Sequence, residues 1–333
     1  MILVQNYTLA VLLCALAMVC WGSWQNTRNL AGTSWRFELF YWDFILGIIL
    51  FSLVMAFTFG SMGQSGRSFL IDLAQASPKY LFSAALGGFI WNLGTLLLVA
   101  AISIAGMSVA FPIGGGLGWI LGIVINYIGS PEGNPLLLFG GSFIIVLAIL
   151  LSMASYRRLA QTQQNAPLKG IMLSLAAGIL IAFYFRFVAS ALDTTFQPET
   201  IGKITSYTAV VAFSAGALIS TLVFNSYFMR RPVEGPPVSF RNYLEGSRAA
   251  HLFGVLGGAI WCIGNSVSFM AVGSASPAIS YGLSNSAPVV AALWGILVWK
   301  EFRNAPRGTN RLLVLMFICY LVGLALIIRA RVG

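Results

Sequence analysis

The stretch FELFYWDFILGIILFSLVMAFTFG, Phe37 to Gly60, decides what kind of protein this is. A helix rising 1.5 Å per residue needs roughly 20 apolar residues to cross a hydrocarbon core about 30 Å thick. This run supplies 24 residues, with Glu38 and Asp43 as its only charges. Asp43 stands inside the run, where a carboxylate is expensive and needs a reason. Composition extends the point to the whole chain. Of 333 residues, 58% are hydrophobic and 8% are charged, against about 25% charged in a soluble domain. Lipid is therefore the solvent.

Nine further runs meet the same standard. The ten spans are expected at 7–27, 37–60, 80–104, 107–128, 135–155, 168–190, 203–228, 251–273, 276–299 and 311–329. The N-terminus lacks a basic n-region, so it reads as a first span and not as a cleaved signal. Loops after odd spans hold thirteen Lys and Arg, and the opposite side holds five. The positive-inside rule then puts the odd loops in the cytoplasm of a cell-membrane protein and both termini outside. The net charge of +10 sets orientation in this way and is not a nucleic-acid footprint. Cys14, Cys20, Cys262 and Cys319 lie in apolar runs without a CxxC, and His251 is the only histidine. No metal site, cofactor site or catalytic constellation follows, and an enzyme is not expected.

GGFIWNLG (87–94) faces GGAIWCIG (257–264) at an offset of 170 residues. The match predicts a duplicated chain: a five-helix half over 1–156, a short linker at 157–167, and a second half over 168–333. Five is odd, so the halves enter the membrane in opposite directions. This all-α fold of ten transmembrane helices as a 5+5 inverted-topology repeat is a transporter architecture, with its site near the midplane.

Several stretches resemble the ureide permeases of the drug/metabolite transporter superfamily. They are Gly22 with Trp24, the aspartate early in span 2 followed by AFTFGSMG (56–63), SYTAVVAFS (206–214) with Asn225, IGNSVSFM (263–270), and APVVAALWGILVWKEFR (287–303). The resemblance covers nearly the whole chain in order. It implies the ten-helix fold and proton-coupled uptake of neutral heterocycles such as allantoin, uracil or xanthine. Rhamnose and glucose/ribose carriers are more distant relatives. Two departures stand out: the central loop YRRLAQTQQNAPLKG (156–170) is short and lacks the Walker-like motif of plant members, and Gln25 replaces a common proline.

Depth along the helices selects candidate site residues. Trp91 and Trp261 fall roughly 15–16 Å into spans 3 and 8, where two indoles could wall a planar ring. Asn265 shares the face of Trp261, Asn92 follows Trp91, and Asn285 lies halfway along span 9 near Tyr281; amides suit a heterocycle because each both donates and accepts. Trp24 and Gln25 complete the substrate set. PIGGGLG (112–118) lacks the ending of a phosphate loop and reads as close helix packing or a helix break. Asp43 and Arg186 are the two deep charges. Their depths differ by on the order of 18 Å, so a direct ion pair is not expected. Arg186 is expected to brace or gate near the outer interface, flanked by aromatic residues. Asp43 is expected to carry the proton, with Arg28 and Arg36 as nearby cations and Glu38 competing for them; the other reading ties span 2 to Trp24 or Gln25. The partners implied are a small-molecule substrate, protons and the bilayer; a homodimer stays open. A sugar carrier or an exporter of metabolites or drugs is the alternative within transport, and a non-transporting receptor the alternative outside it.

Overall fold

A computed structural model of the chain describes residues 1–32, 35–63, 65–160 and 167–331. Ten helices among them are long and apolar enough to cross a membrane: Tyr7–Ala31, Phe37–Phe57, Pro78–Ala105, Val109–Gly129, Pro135–Leu159, Leu168–Ala191, Ser206–Arg230, Arg248–Ala275, Pro277–Val298 and Thr309–Arg329. These are spans 1 to 10, each overlapping an expected run. The described residues contain no strand beyond one isolated bridge, Leu192 to Ile204, and the protein is an all-α, multi-pass membrane protein. Residues 161–166 of the expected linker lie outside the described set.

The helix starts follow from local chemistry. The Asn6 side chain accepts from the Thr8 and Leu9 amides to cap span 1, Thr205 caps span 7, and Ser247 caps span 8. Pro78 and Pro277 open spans 3 and 9, where a missing N–H costs nothing.

Small residues then decide which helices meet. Span 3 packs on spans 6 and 7, while span 8 packs on spans 1 and 2; span 5 packs on span 10. A Cβ on Gly88 would overlap the Phe213 carbonyl oxygen, and one on Gly258 would overlap that of Phe44. Gly216 meets Ala85 and Gly47 meets Val255 in the same way. Backbones approach this closely in membranes only at small residues. The sealed middle of the bundle is aromatic: Phe44, Phe213, Trp91, Trp21 and Trp261 pack ring on ring there.

Two spans depart from the uninterrupted helices expected. Span 1 breaks at Trp24, where Asn26 Nδ2 donates to the Ser23 carbonyl and the Trp24 carbonyl accepts both the amide and Oγ1 of Thr27. Span 9 is a helix over Pro277–Ser284, a break at 285–287, a helix over Pro288–Leu293 and a π-turn over Trp294–Val298. Pro288 removes one backbone donor just after the break. Pro112, by contrast, sits inside a continuous span 4.

Both termini share one face, since Tyr7 Oη donates to the Ile328 carbonyl at 2.5 Å and the N-terminal amine to that of Ser65 at 2.9 Å. On that face the short helix Phe69–Gln75 is tied down. Arg67 bridges Asp72 at 2.9 Å and Asp193 at 2.7 Å, and Asp72 also accepts the Thr205 amide at 2.8 Å. A second short helix, Phe240–Leu244, lies between spans 7 and 8 at the opposite face.

Candidate substrate cavity

A cavity of about 230 Å³ lies against the aromatic middle, at both helix breaks. Trp24, Gln25, Trp91, Trp261, Tyr281 and Asn285 all line it, so six residues selected by depth and resemblance converge. Span 5 adds Ser152, span 6 adds Tyr184 and span 10 adds Tyr320. No Asp, Glu, Lys, Arg or His is among the lining residues. Its size is below the roughly 300–1,000 Å³ of sites for drug-sized ligands, which suits a small solute.

The cavity continues into a vestibule of about 770 Å³, sharing Trp24, Gln25, Leu98, Phe111 and Tyr156 with it. The vestibule is lined by helix ends at the face opposite the termini and is charged, with Arg28, Arg36, Glu38, Glu234 and Glu301. Tyr156 Oη donates to Glu301 at 3.2 Å, and Trp299 Nε1 to Asn26 Oδ1 at 2.6 Å. Arg36 forks onto Glu38 at 2.7 and 3.1 Å, and Arg28 lies over the Phe37 ring at 5.3 Å.

Trp91 and Trp261 differ in arrangement from two separated walls. Their ring centroids are 4.1 Å apart, and Trp261 also stacks on Phe213 and Trp21 at 5.8 Å each. In this conformation they form one aromatic surface, because the glycines of spans 3 and 8 let both helices sink toward the centre.

Asn92 and Asn265 do not line the cavity. Asn92 clamps three helices: its Oδ1 accepts from Tyr41 at 2.7 Å and Thr221 at 3.1 Å, and its Nδ2 donates to Ser220 at 3.0 Å. Asn265 is fully buried, and neither atom of its amide has a hydrogen-bond partner among the described residues.

Asp43 is 2% exposed and lines neither cavity. The cations expected beside it are engaged elsewhere, as Arg36 and Arg28 show. Its oxygens instead meet Tyr243 Oη at 2.6 Å and His251 Nδ1 at 2.9 and 3.0 Å. Trp35, which lines the vestibule, stands edge-on to the imidazole at 5.3 Å. Burial, then the hydrogen bond to Asp43, pushes the Tyr243 phenol above its ordinary pKa, so it remains a donor at neutral pH. Sequence reasoning read His251 only as lacking a metal or serine partner; a lone histidine two hundred residues from Asp43 gave no signal of the pair. Arg186 packs its guanidinium against Gly129 at the end of span 4. It forms no ion pair with Asp43, as depth requires, and has no aromatic face beneath it among the described residues.

The ureide permease family model matches residues 40–167 and 156–330, most of the chain. Ureide permease 1 of Arabidopsis thaliana is 23% identical over 98% of both chains, and Ureide permease 2 of the same plant 24% identical over 98% of both. A Streptococcus pyogenes serotype M6 protein named "Putative sugar uptake protein" is 23% identical, covering 82% of this chain and 87% of its own. One chain of solved structure, described as the crystal structure of a protein, superposes with a TM-score of 0.59 at 16% identity over 95% of each chain, which speaks for the fold alone. Ten spans around an uncharged central cavity, with a family match running from span 2 to span 10, lead to one conclusion: the chain belongs to the ureide permease family.

Proposed function

We propose that this protein is a secondary transporter that takes up a small neutral heterocycle of ureide or nucleobase type, such as allantoin or uracil, coupled to protons. The observation that carries the reading is the uncharged, aromatic-floored cavity reached through a charged vestibule. An ionic solute would find no counter-charge there, whereas a flat polar ring finds an indole surface and amide and hydroxyl groups. The relatives named ureide permeases point the same way.

Alternating access accounts for the one-sided opening. With basic loops inside, the vestibule faces the cytoplasm, and the Arg67–Asp72–Asp193 cluster closes the outer face. The helix pairing supports duplication: exchanging spans 1–5 with 6–10 turns the contacts of span 3 with 6 and 7 into those of span 8 with 1 and 2. The glycine crossings exchange likewise.

In this reading Asp43 takes the proton. His251, more exposed than Asp43, passes it between the carboxylate and the aqueous side. Tyr243 holds the carboxylate in place when it is ionised and ties the Phe240–Leu244 helix to the state of span 2. Solute rests on the Trp91–Trp261 surface, with Asn285 and Gln25 reading its polar edge. Uptake of labelled allantoin and uracil into proteoliposomes, with and without an inward proton gradient, tests the proposal. The expected result is accumulation only with the gradient; rates indifferent to the gradient would remove the coupling.

A sugar carrier is the second reading, favoured by the streptococcal relative and by the affinity of indole faces for sugar rings. Competition of allantoin uptake by glucose and rhamnose separates the two.

A further inference from the structure

We infer that the Tyr320 hydroxyl of span 10 is a specificity-determining contact, donating a hydrogen bond to a carbonyl-type acceptor on the transported solute. The inference rests on the cavity being the solute site. No feature of span 10 marked it beforehand, since Tyr320 is a single hydroxyl within VLMFICYLVGLAL (314–326).

The argument is an accounting of polar atoms in the cavity wall. Several are engaged with protein in ways that serve the fold. Tyr281 Oη donates to the Gly118 carbonyl at 2.7 Å and Trp119 Nε1 to that of Gly282 at 3.1 Å. Trp21 Nε1 donates to the Trp261 carbonyl at 3.1 Å, and Asn285 Nδ2 to that of Tyr281 at 3.1 Å. These bonds hold the broken span 9 and the indole surface in shape. Tyr320 differs. Its side chain is 1% exposed, it lines the cavity, and its hydroxyl has no hydrogen-bond partner among the described residues.

A buried hydroxyl without a partner is unfavourable by about 1–3 kcal/mol. A phenylalanine would fill the same space without that penalty. The chemistry that removes the penalty is a neutral acceptor delivered into the cavity. With no charged group in the wall, discrimination among neutral solutes falls to such hydroxyl and amide contacts. A site that hydrogen-bonds a solute group rejects analogues lacking it far better than an apolar pocket rejects a change in size. Tyr320 also brings span 10 into a site otherwise built around the breaks of spans 1 and 9.

The experiment compares wild type, Tyr320→Phe and Trp261→Ala in proteoliposomes, using labelled allantoin and labelled uracil, together with the Tm of each unliganded protein. For Tyr320→Phe the expected KM rises about tenfold, with Tm unchanged or higher, because the variant loses an unsatisfied group and keeps the ring. A wild-type KM in Tyr320→Phe beside a damaged Trp261→Ala would leave the cavity standing and overturn the assignment. Wild-type behaviour of both variants would remove the cavity reading and the assignment together. A fall of several degrees in the Tm of Tyr320→Phe would reveal a protein partner for the hydroxyl and overturn the assignment on its own. Should wild type take up neither solute, ligand-induced thermal shifts with glucose and rhamnose decide: a shift lost in Tyr320→Phe upholds the contact, and equal shifts overturn it.

Discussion

Asp43 shows how far a single residue can be read. Its presence in an apolar run marked it as needing a partner, and its depth excluded Arg186. The partner itself was illegible: Tyr243 and His251 come from a loop helix and a span entrance about two hundred residues away. The nearby cations that sequence offered went to Glu38 and to an aromatic face, because Arg36 stands two residues from Glu38 and forks onto it without crossing any span. The pair carries a test. Asp43→Asn is expected to exchange labelled solute across the membrane yet to accumulate it no faster with an inward proton gradient than without. Full response to the gradient in that variant would clear Asp43 of coupling. Tyr243→Phe should keep coupling while losing about 1.5–3 kcal/mol of stability, the worth of a hydrogen bond to a charged group, read as a lower Tm in detergent.

At the scale of elements, the matched GGxIWxxG stretches set the crossings. Gly88 and Gly258 admit a facing carbonyl that any side chain would displace. Overpacking a well-packed site costs about 1–3 kcal/mol and occasionally more. Gly88→Val and Gly258→Val are therefore both expected to fall at or beyond the top of that range, measured as lost monodisperse protein or a lower Tm. Gly140→Ala is the control, since nothing lies within 4 Å of a Cβ there; it should be neutral or stabilising, alanine being the better helix former. A mild Gly258→Val would break the equivalence of the two crossings. Sequence located these helices to within a few residues, because hydrophobic length depends only on the bilayer. It missed the breaks in spans 1 and 9. Trp24 carries no breaker, and Pro288 has the same appearance in sequence as Pro112, which leaves its helix continuous.

For the molecule as a whole, orientation follows from charge and opening follows from packing. Under the positive-inside rule, the thirteen-to-five division of basic residues predicts that the vestibule faces inward. Glu199→Cys and Arg307→Cys, exposed on opposite faces, test this with a membrane-impermeant maleimide. Glu199→Cys should label in intact cells and Arg307→Cys only after permeabilisation; the reverse pattern would turn the protein over and make the present opening external. The native cysteines lie in spans, buried or half-buried, so the introduced thiols dominate the signal.

The sequence by itself determined the solvent, the ten helices and the family resemblance, because hydrophobic length and local motifs are properties of short segments. It also brought Trp91, Trp261, Tyr281 and Asn285 forward, since depth along a helix is simple arithmetic, and the family resemblance drew attention to Trp24 and Gln25. Only the tertiary structure decided which polar groups are spent. Asn92 is consumed as a clamp, Asn265 stands apart from the cavity, the two indoles touch, His251 and Tyr243 hold Asp43, and Tyr320 lines the cavity while its buried hydroxyl has no partner among the described residues. Hydrogen bonds are directional and short-ranged, so whether a polar side chain serves the fold or a solute depends on contacts between distant segments that no local pattern encodes.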